Sequence, residues 1–161
     1  MKATISDIKQ ETHDVKTLTL DLDESLKFKS GQFIRLGLSH VDIMKPFSIS
    51  SSGEKSKQIT ITMKIYHDGQ FTKEANKLNI NDQVEIDGPY GHFIFEKETK
   101  GDIVLIAAGS GMSTLHSILR FIIDNKLKNN INIIYSVKTQ KDIIYEEEIR
   151  ELKKMKLLLV F

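Results

Sequence analysis

Ile103-Val104-Leu105-Ile106-Ala107-Ala108-Gly109-Ser110-Gly111 is the stretch whose reading decides the fold. Six apolar residues in a row, ending in glycine, have the pattern of a strand buried on both faces of a parallel sheet. A helix follows, because Met112, Leu115, Leu119, Ile122 and Ile123 recur at helical spacing. Ile131 to Val137 reads as a second buried strand. Asp142 is placed to cap a second helix, with Tyr145, Ile149, Leu152 and Met155 along one face. Its acidic start (Glu146, Glu147, Glu148) and basic end (Lys153, Lys154) suit the helix dipole, so the glutamates read as a solvated helix start rather than an acid–base pair. Leu157 to Phe161 begins a third strand. The order β-α-β-α-β implies a parallel sheet with right-handed crossovers.

Upstream of this stretch the period changes to two. Thr4–Ile8, Val15–Leu22, Gln32–Leu38, Pro46–Ser50, Ile59–Tyr66 and Gln83–Asp87 alternate apolar and polar residues. Turn formers separate them, as in Ser30-Gly31 and Ser51-Ser52-Gly53. Six short strands at this spacing predict a small antiparallel barrel or sandwich. Phe71, Ala75 and Leu78 allow one short helix within it. The expected boundary divides residues 1–98 from residues 99–161.

Composition narrows the function. The chain has 161 residues, of which 40% are hydrophobic and 28% charged, values that suit a globular protein with a real core. A net charge of +1, with lysines spread along the chain, does not make the basic stripe of a nucleic-acid binder. Cysteine is absent, which excludes disulfides, cysteine-ligated iron–sulfur clusters and zinc thiolate sites. The N-terminus lacks the apolar run of a signal peptide, and no stretch approaches the roughly 18 apolar residues of a membrane span. A soluble, cytoplasmic protein is the expectation.

Four segments carry possible chemistry. Lys45-Pro46-Phe47-Ser48-Ile49-Ser50 offers a cation, a rigid turn, a ring and two hydroxyls along an extended segment. Strand alternation would turn Lys45 and Phe47 to one side, and Pro46, Ser48 and Ser50 to the other. Such an edge suits a flat aromatic cofactor with an anionic tail, and equally an ordinary edge strand opened by proline. Gly109-Ser110-Gly111-Met112-Ser113-Thr114 joins a strand to a helix, where free N–H groups bind anions. It lacks the lysine of a P-loop, and Thr114 stands where a dinucleotide fingerprint has its third glycine. Gly69-Gln70-Phe71-Thr72 and Gly88-Pro89-Tyr90-Gly91-His92-Phe93 read singly as a helix start and a turn. The five histidines lack metal-ligand spacing, and no Gly-x-Ser-x-Gly nucleophile motif is present.

Taken together and in order, these segments resemble the ferredoxin–NADP reductase-like flavoproteins, over nearly the whole chain. Lys45-Pro46-Phe47-Ser48 is similar to that family's Arg-x-Tyr-Ser flavin motif. Met63-Lys64-Ile65-Tyr66, followed by Gly69-Gln70-Phe71-Thr72, resembles its second flavin segment. Gly88 to Phe93 resembles the turn that closes the barrel, and Gly109 to Thr114 the nucleotide motif Gly-x-Gly-Ile-Thr-Pro. Tyr135 to Thr139 and Asp142 to Glu148 resemble the stretch after the second strand of the nucleotide domain.

The resemblance implies an antiparallel six-stranded β-barrel that binds flavin, followed by a partial α/β parallel-sheet nucleotide-binding domain. It implies FAD, with FMN possible, and NADH or NADPH as hydride donor. Phe47 would pack on the flavin ring, and Ser48, the catalytic candidate, would hydrogen-bond near its reactive nitrogen. Lys45, Pro46, Ile49, Ser50, Lys64, Ile65, Tyr66, Gly69, Gln70, Phe71 and Thr72 complete the expected flavin site, with Lys45 and the Thr72 helix start on the phosphates. Gly109, Ser110, Gly111, Met112 and Ser113 would lie under the nicotinamide and its diphosphate, while Ser136 and Lys138 stand where a 2′-phosphate would be read. Electrons would pass to an acceptor protein or a small acceptor. Among the departures from the family pattern, Lys45 replaces an arginine and Thr114 a proline. The family's sheet has two further strands beyond the position of Phe161. The expectation is therefore a shortened sheet, with Ile103–Ala107 at an edge that a partner chain or oligomer contact would cover, or a fragment.

Overall fold

A computed structural model describes residues 1–151 and 155–161. Six strands form the first half: β1 (Lys2–Thr12), β2 (Val15–Lys27), β3 (Phe33–Leu38), β4 (Val41–Ser48), β5 (Lys55–Lys64) and β6 (Gln83–Tyr90). They make one antiparallel sheet in the order β4-β3-β6-β1-β2-β5. The sheet curls into a barrel that is not fully closed. Among the described residues, its edge strands are joined by a bridge between Ile49 and Ile61, supported by the Ser50 N–H donating to the Thr60 carbonyl at 2.8 Å. Alternation along β1 and β2 sends Ala3, Ile5, Leu18, Leu20 and Leu22 inward, where they meet Ile34, Leu36, Ile59, Ile61 and Val84. A short helix, α1 (Gln70–Ala75), plugs one end with Phe71 and Ala75. The segment Gly88–Tyr90, expected within a turn, is the end of β6; the turn starts at Gly91.

The second half is a parallel sheet in the order β7 (Ile103–Ala108), β8 (Ile131–Ser136) and β9 (Met155–Val160). Helix α2 (Met112–Asp124) follows β7, and a short α3 (Glu146–Glu151) follows β8. Leu105, Ala107, Ile131, Ile133 and Tyr135 pack under Leu115, Ile118, Leu119 and Ile122 of α2, with Ile149 of α3 in the same cluster.

Two expectations need correction here. Strand β7 is covered on one face only. Leu105 and Ala107 are buried, but Val104 and Ile106 are 54% and 70% exposed, because the helices all lie on one side of the sheet. The helix expected from Asp142 to Met155 is also shorter. Gln140–Asp142 is a 3₁₀ turn closed by a reciprocal pair between Thr139 and Asp142, and Tyr145 takes a left-handed φ of 56° before α3 begins. Met155, expected on that helix, instead opens β9. Leu152, Lys153 and Lys154 lie outside the described residues.

Candidate functional site

The two halves meet along α2, through apolar contacts of Val15 and Phe95 and through a set of hydrogen bonds. Ser30 Oγ donates to the Ser117 carbonyl at 2.9 Å while accepting from the Gly53 N–H at 2.7 Å. Ser117 Oγ donates to the Ser51 carbonyl at 2.6 Å. His116, buried beside them, places Nδ1 2.8 Å from the Ser50 carbonyl oxygen and Nε2 2.9 Å from Glu148 Oε2. Its ring stacks on Tyr145 at 3.9 Å between centroids. The Tyr145 hydroxyl pairs with Thr62 of β5, and burial pushes its phenol pKa up. Glu148 is held down to about 2, first by its hydrogen bond to His116, against the cost of burial, and also by Arg120 at 3.0 Å. Strand β4 and the loop after β7 are thereby fixed opposite one another.

Three cavities adjoin across this junction, each sharing lining residues with the next. The first, about 380 Å³, is lined by Lys45, Pro46, Phe47, Tyr66, Phe71 and Thr72 among others. A middle one, about 320 Å³, shares Pro46, Phe47, Tyr66 and Thr72 with it and adds Ser48, Ser110, Gly111, Ser113 and Thr114. A third, about 420 Å³, continues past Lys64 and Ser110 to Gly109, Ser136 and Lys138 at the carboxyl ends of β7 and β8. Ligands of parallel sheets characteristically bind at this end of the strands.

The local chemistry differs along the crevice. At its barrel end, Lys45 is exposed and the Phe47 ring lies 5.9 Å from Phe71, which supports it from the barrel side. The Thr72 hydroxyl accepts from the Tyr66 N–H at 3.1 Å and lies 3.2 Å from the Gly69 and Tyr66 carbonyls, so it ties the loop rather than facing outward. A Cβ at Gly69 would meet Thr72 Oγ1 at 2.5 Å, so a larger residue there displaces that hydroxyl. In the middle, Ser48 and Thr114 join hydroxyls at 2.7 Å across the cavity. At the far end, the buried Tyr135 donates its hydroxyl to the Gly109 carbonyl at 3.0 Å and pins a glycine whose φ is +50°. Burial pushes the Tyr135 phenol up to about 12, so it stays a donor at neutral pH. A Cβ added at Gly109 or Gly111 would meet nothing within 4 Å, which leaves the cavity floor open to a ligand. Lys64 lies between, 2.8 Å from Asp14. Burial raises the Asp14 carboxyl, but the Lys64 and Thr12 hydrogen bonds outweigh it and hold the group low.

Most of the residues singled out in the sequence therefore share one crevice. Lys45, Pro46, Phe47, Ser48, Lys64, Tyr66, Gly69, Gln70, Phe71, Thr72, Gly109, Ser110, Gly111, Ser113, Ser136 and Lys138 all line it. Four do not. Ile49 is fully buried in the barrel core, and Ser50, equally buried, turns its hydroxyl to Thr60. Strand β4 ends at Ser48, so the expected alternation stops there; Phe47 and Ser48 line the same cavity while the next two residues enter the interior. Met112 is fully buried under the parallel sheet, and Ile65 packs against the barrel. The sequence reading missed His116, Glu148 and the bond between Ser48 and Thr114, which join residues 32 and 66 positions apart.

The fold has counterparts in known proteins. A family model described as "Oxidoreductase FAD-binding domain" matches residues 2–95, and one described as "Oxidoreductase NAD-binding domain" matches residues 105–159. The chain belongs to the ferredoxin–NADP reductase-like oxidoreductases. It is 32% identical over 147 residues to the sulfhydrogenase 2 subunit gamma of Pyrococcus furiosus, covering 91% of this chain and 50% of that one. It is 27% identical over 139 residues to a phenol 2-monooxygenase reductase component of a Pseudomonas species, covering 86% and 39%. Among solved structures, a ferredoxin–NADP+ reductase from Neisseria gonorrhoeae with bound FAD and NADP superposes with a TM-score of 0.86 at 24% identity, over 99% of this chain and 67% of that one. The chain thus spans about half the length, or less, of these curated relatives. No helix among the described residues is long and apolar enough to cross a membrane.

Proposed function

We propose that this chain is the flavin-binding and nicotinamide-docking part of an oxidoreductase that takes hydride from NADH or NADPH and hands electrons to a protein or small acceptor. The observation that carries the reading is the continuity of the three cavities across the junction. A dinucleotide with a flat ring fits that shape and donor set, with FAD preferred to FMN. FAD, when bound, supplies the chemistry that couples two-electron transfer from nicotinamide to electron release.

The protein residues position and select. Phe47, braced by Phe71, gives the ring a flat apolar wall, and Ser48 directs a hydroxyl at its edge. Lys45 supplies a point charge for phosphate at the outer end. Across the cavity, Gly109 and Gly111 leave room for a second ring to approach to about 3–3.5 Å, the separation that transfer requires. Ser136 and Lys138, exposed at the end of β8, lie where a ribose or its 2′-phosphate would extend. The polar seam through His116 and Ser117 holds both walls at fixed spacing.

The test is the visible spectrum of the FAD-loaded protein before and after anaerobic addition of NADH or NADPH. A yellow protein that bleaches supports the whole reading; one that takes up no flavin overturns it. Gly111→Val puts methyls into open space, so it is expected to retain FAD and slow bleaching about a hundredfold, roughly 2.7 kcal/mol. Wild-type kinetics in that variant remove the glycine loop from the nicotinamide site.

A second reading is favoured by the bare face of the parallel sheet, where Val104, Ile106, Leu158 and Val160 are exposed. Here the chain binds cofactor but acts only when further polypeptide or a partner chain covers that face. A monodisperse monomer that turns over reduced nicotinamide argues against it. Yellow protein that fails to bleach supports it.

A further inference from the structure

Ser48 ends β4 and Thr114 lies in the first turn of α2, on opposite walls of the middle cavity. Their hydroxyl oxygens are 2.7 Å apart, and either can be the donor. Among the described residues, neither hydroxyl has any other hydrogen-bond partner. A second hydroxyl cluster at the junction, formed by Thr17, Ser50, Thr60, Thr62 and Tyr145, is bonded among its own members and, through Thr17, to Glu11. Thr62 of that cluster also lines the middle cavity, but its hydroxyl is already engaged; Ser48 and Thr114, both half-buried, line it with only each other as partner among the described residues.

A hydroxyl donates one proton and can accept two. When Thr114 donates to Ser48, the serine keeps its own proton for a neighbour in the cavity. When Ser48 donates to Thr114, it presents only lone pairs to that neighbour. The pair changes from donor to acceptor by rotating two C–O bonds, and no proton is gained or lost. With the threonine hydroxyl, a Ser48 that accepts from a ligand keeps a partner for its own proton, and the Thr114 proton turns to the cavity that Thr114 also lines; with valine there, the Ser48 proton is left unpaired, which is costly.

We propose that Thr114 is a positioning residue that lets Ser48 pair with a ring nitrogen in both its bare and its protonated form. The inference rests on the flavin reading, since a flavin's redox-active nitrogen takes those two forms. It gives a role to a position where the family usually has proline, a residue that lacks any hydroxyl.

The experiment loads the full chain with FAD and compares wild type, Thr114→Val, Thr114→Ser, Ser48→Ala and the double variant Ser48→Ala/Thr114→Val. Measured are FAD affinity, the visible bands in oxidised and dithionite-reduced protein, and the limiting rate and KM for reduced nicotinamide. Thr114→Val is expected to keep FAD affinity within about twofold, move the bands, and lower the limiting rate about five- to tenfold with KM little changed. Thr114→Ser restores bands and rate. The double variant is no slower than Ser48→Ala, because the two hydroxyls act as one unit. Wild-type bands and rate in Thr114→Val overturn the proposal, as does failure of Thr114→Ser to restore them, or additive losses in the double variant. A wild-type chain that binds no FAD fails the flavin reading and takes this proposal with it. A wild type that loads and bleaches beside an unaffected Thr114→Val refutes this proposal alone.

Discussion

The antiparallel half surrounds its core, whereas the α/β half covers one face of its sheet and leaves the other bare. In the barrel, Leu20, Ile34, Ile59 and Ile61 are fully enclosed by strands that wrap around them. In the parallel sheet, register lines up Ile106, Ile134 and Leu158 on the side away from the helices, and Leu105, Ile133 and Leu157 beneath them. The same apolar strand composition thus has different consequences. The first half owns its cohesion; the second draws part of its own from the junction, where Val15 of the barrel joins its core and Ser30, Ser50 and Thr62 bond to α2 and the segment leading into α3. A cofactor crevice between two such halves has one firm wall and one whose position depends on the seam.

The strongest way to break that comparison is Ile133→Ala. Ile133 is 1% exposed beneath α2, so truncation is expected to cost about 2–5 kcal/mol. Amides of β7, β8 and β9 should lose protection from hydrogen exchange while β1, β2 and β5 keep theirs. Equal loss in both halves would mean that the chain opens as one unit and that the barrel has no separate cohesion.

The seam itself is tested by Glu148→Gln and by acid. The Glu148 carboxyl is held near 2 in the folded protein, below the ordinary 4.5. Its contribution is therefore fully present above about pH 4.5 and is lost as the pH falls toward 2. With a third of the side chain exposed, solvent screening leaves a contribution of about 1–2 kcal/mol. Wild type is expected to lose that stability between pH 4.5 and 2, and Glu148→Gln to be weaker at pH 7 with a flatter acid limb. Parallel acid limbs for the two proteins would show that His116 and Arg120 do not hold the carboxylate.

Much of this architecture was legible because it is written in local periods. Alternation located five barrel strands but only the end of β4, which was expected at Pro46–Ser50 and runs from Val41 to Ser48, and the change to a continuous apolar run at Ile103 located the parallel sheet. Helix α2 was legible because Met112, Leu115, Leu119 and Ile122 form one stripe. The segment from Asp142 to Met155 misled for the same reason. Its apolar spacing fits a helix, but Tyr145 takes a left-handed turn and Met155 belongs to a strand, and spacing carries neither fact. The extended run at Ile103 could not reveal that one face stays bare, since exposure depends on where the helices pack. In the crevice, the outer residues from Lys45 to Ser48 and the glycine loop were legible as motifs. Ser50, read as part of that motif, is instead buried with its hydroxyl on Thr60, and His116 was not legible because a histidine there acquires meaning only from the opposite half of the molecule.

The mildest substitution sharpens the comparison most. Ile106 is 70% exposed on the bare face, beside Ile134 and Leu158. If that face is open in solution, Ile106→Lys removes no buried contact, and stability should stay within about 0.5 kcal/mol of wild type. Its effect should appear in association instead. A charge within an apolar patch opposes any contact that covers it, so self-association measured by sedimentation should decrease as apolar surface is interrupted. A loss near 2 kcal/mol in a monomer would show that Ile106 is buried in solution. The α/β half would then cover both faces of its sheet, and the contrast with the barrel would disappear.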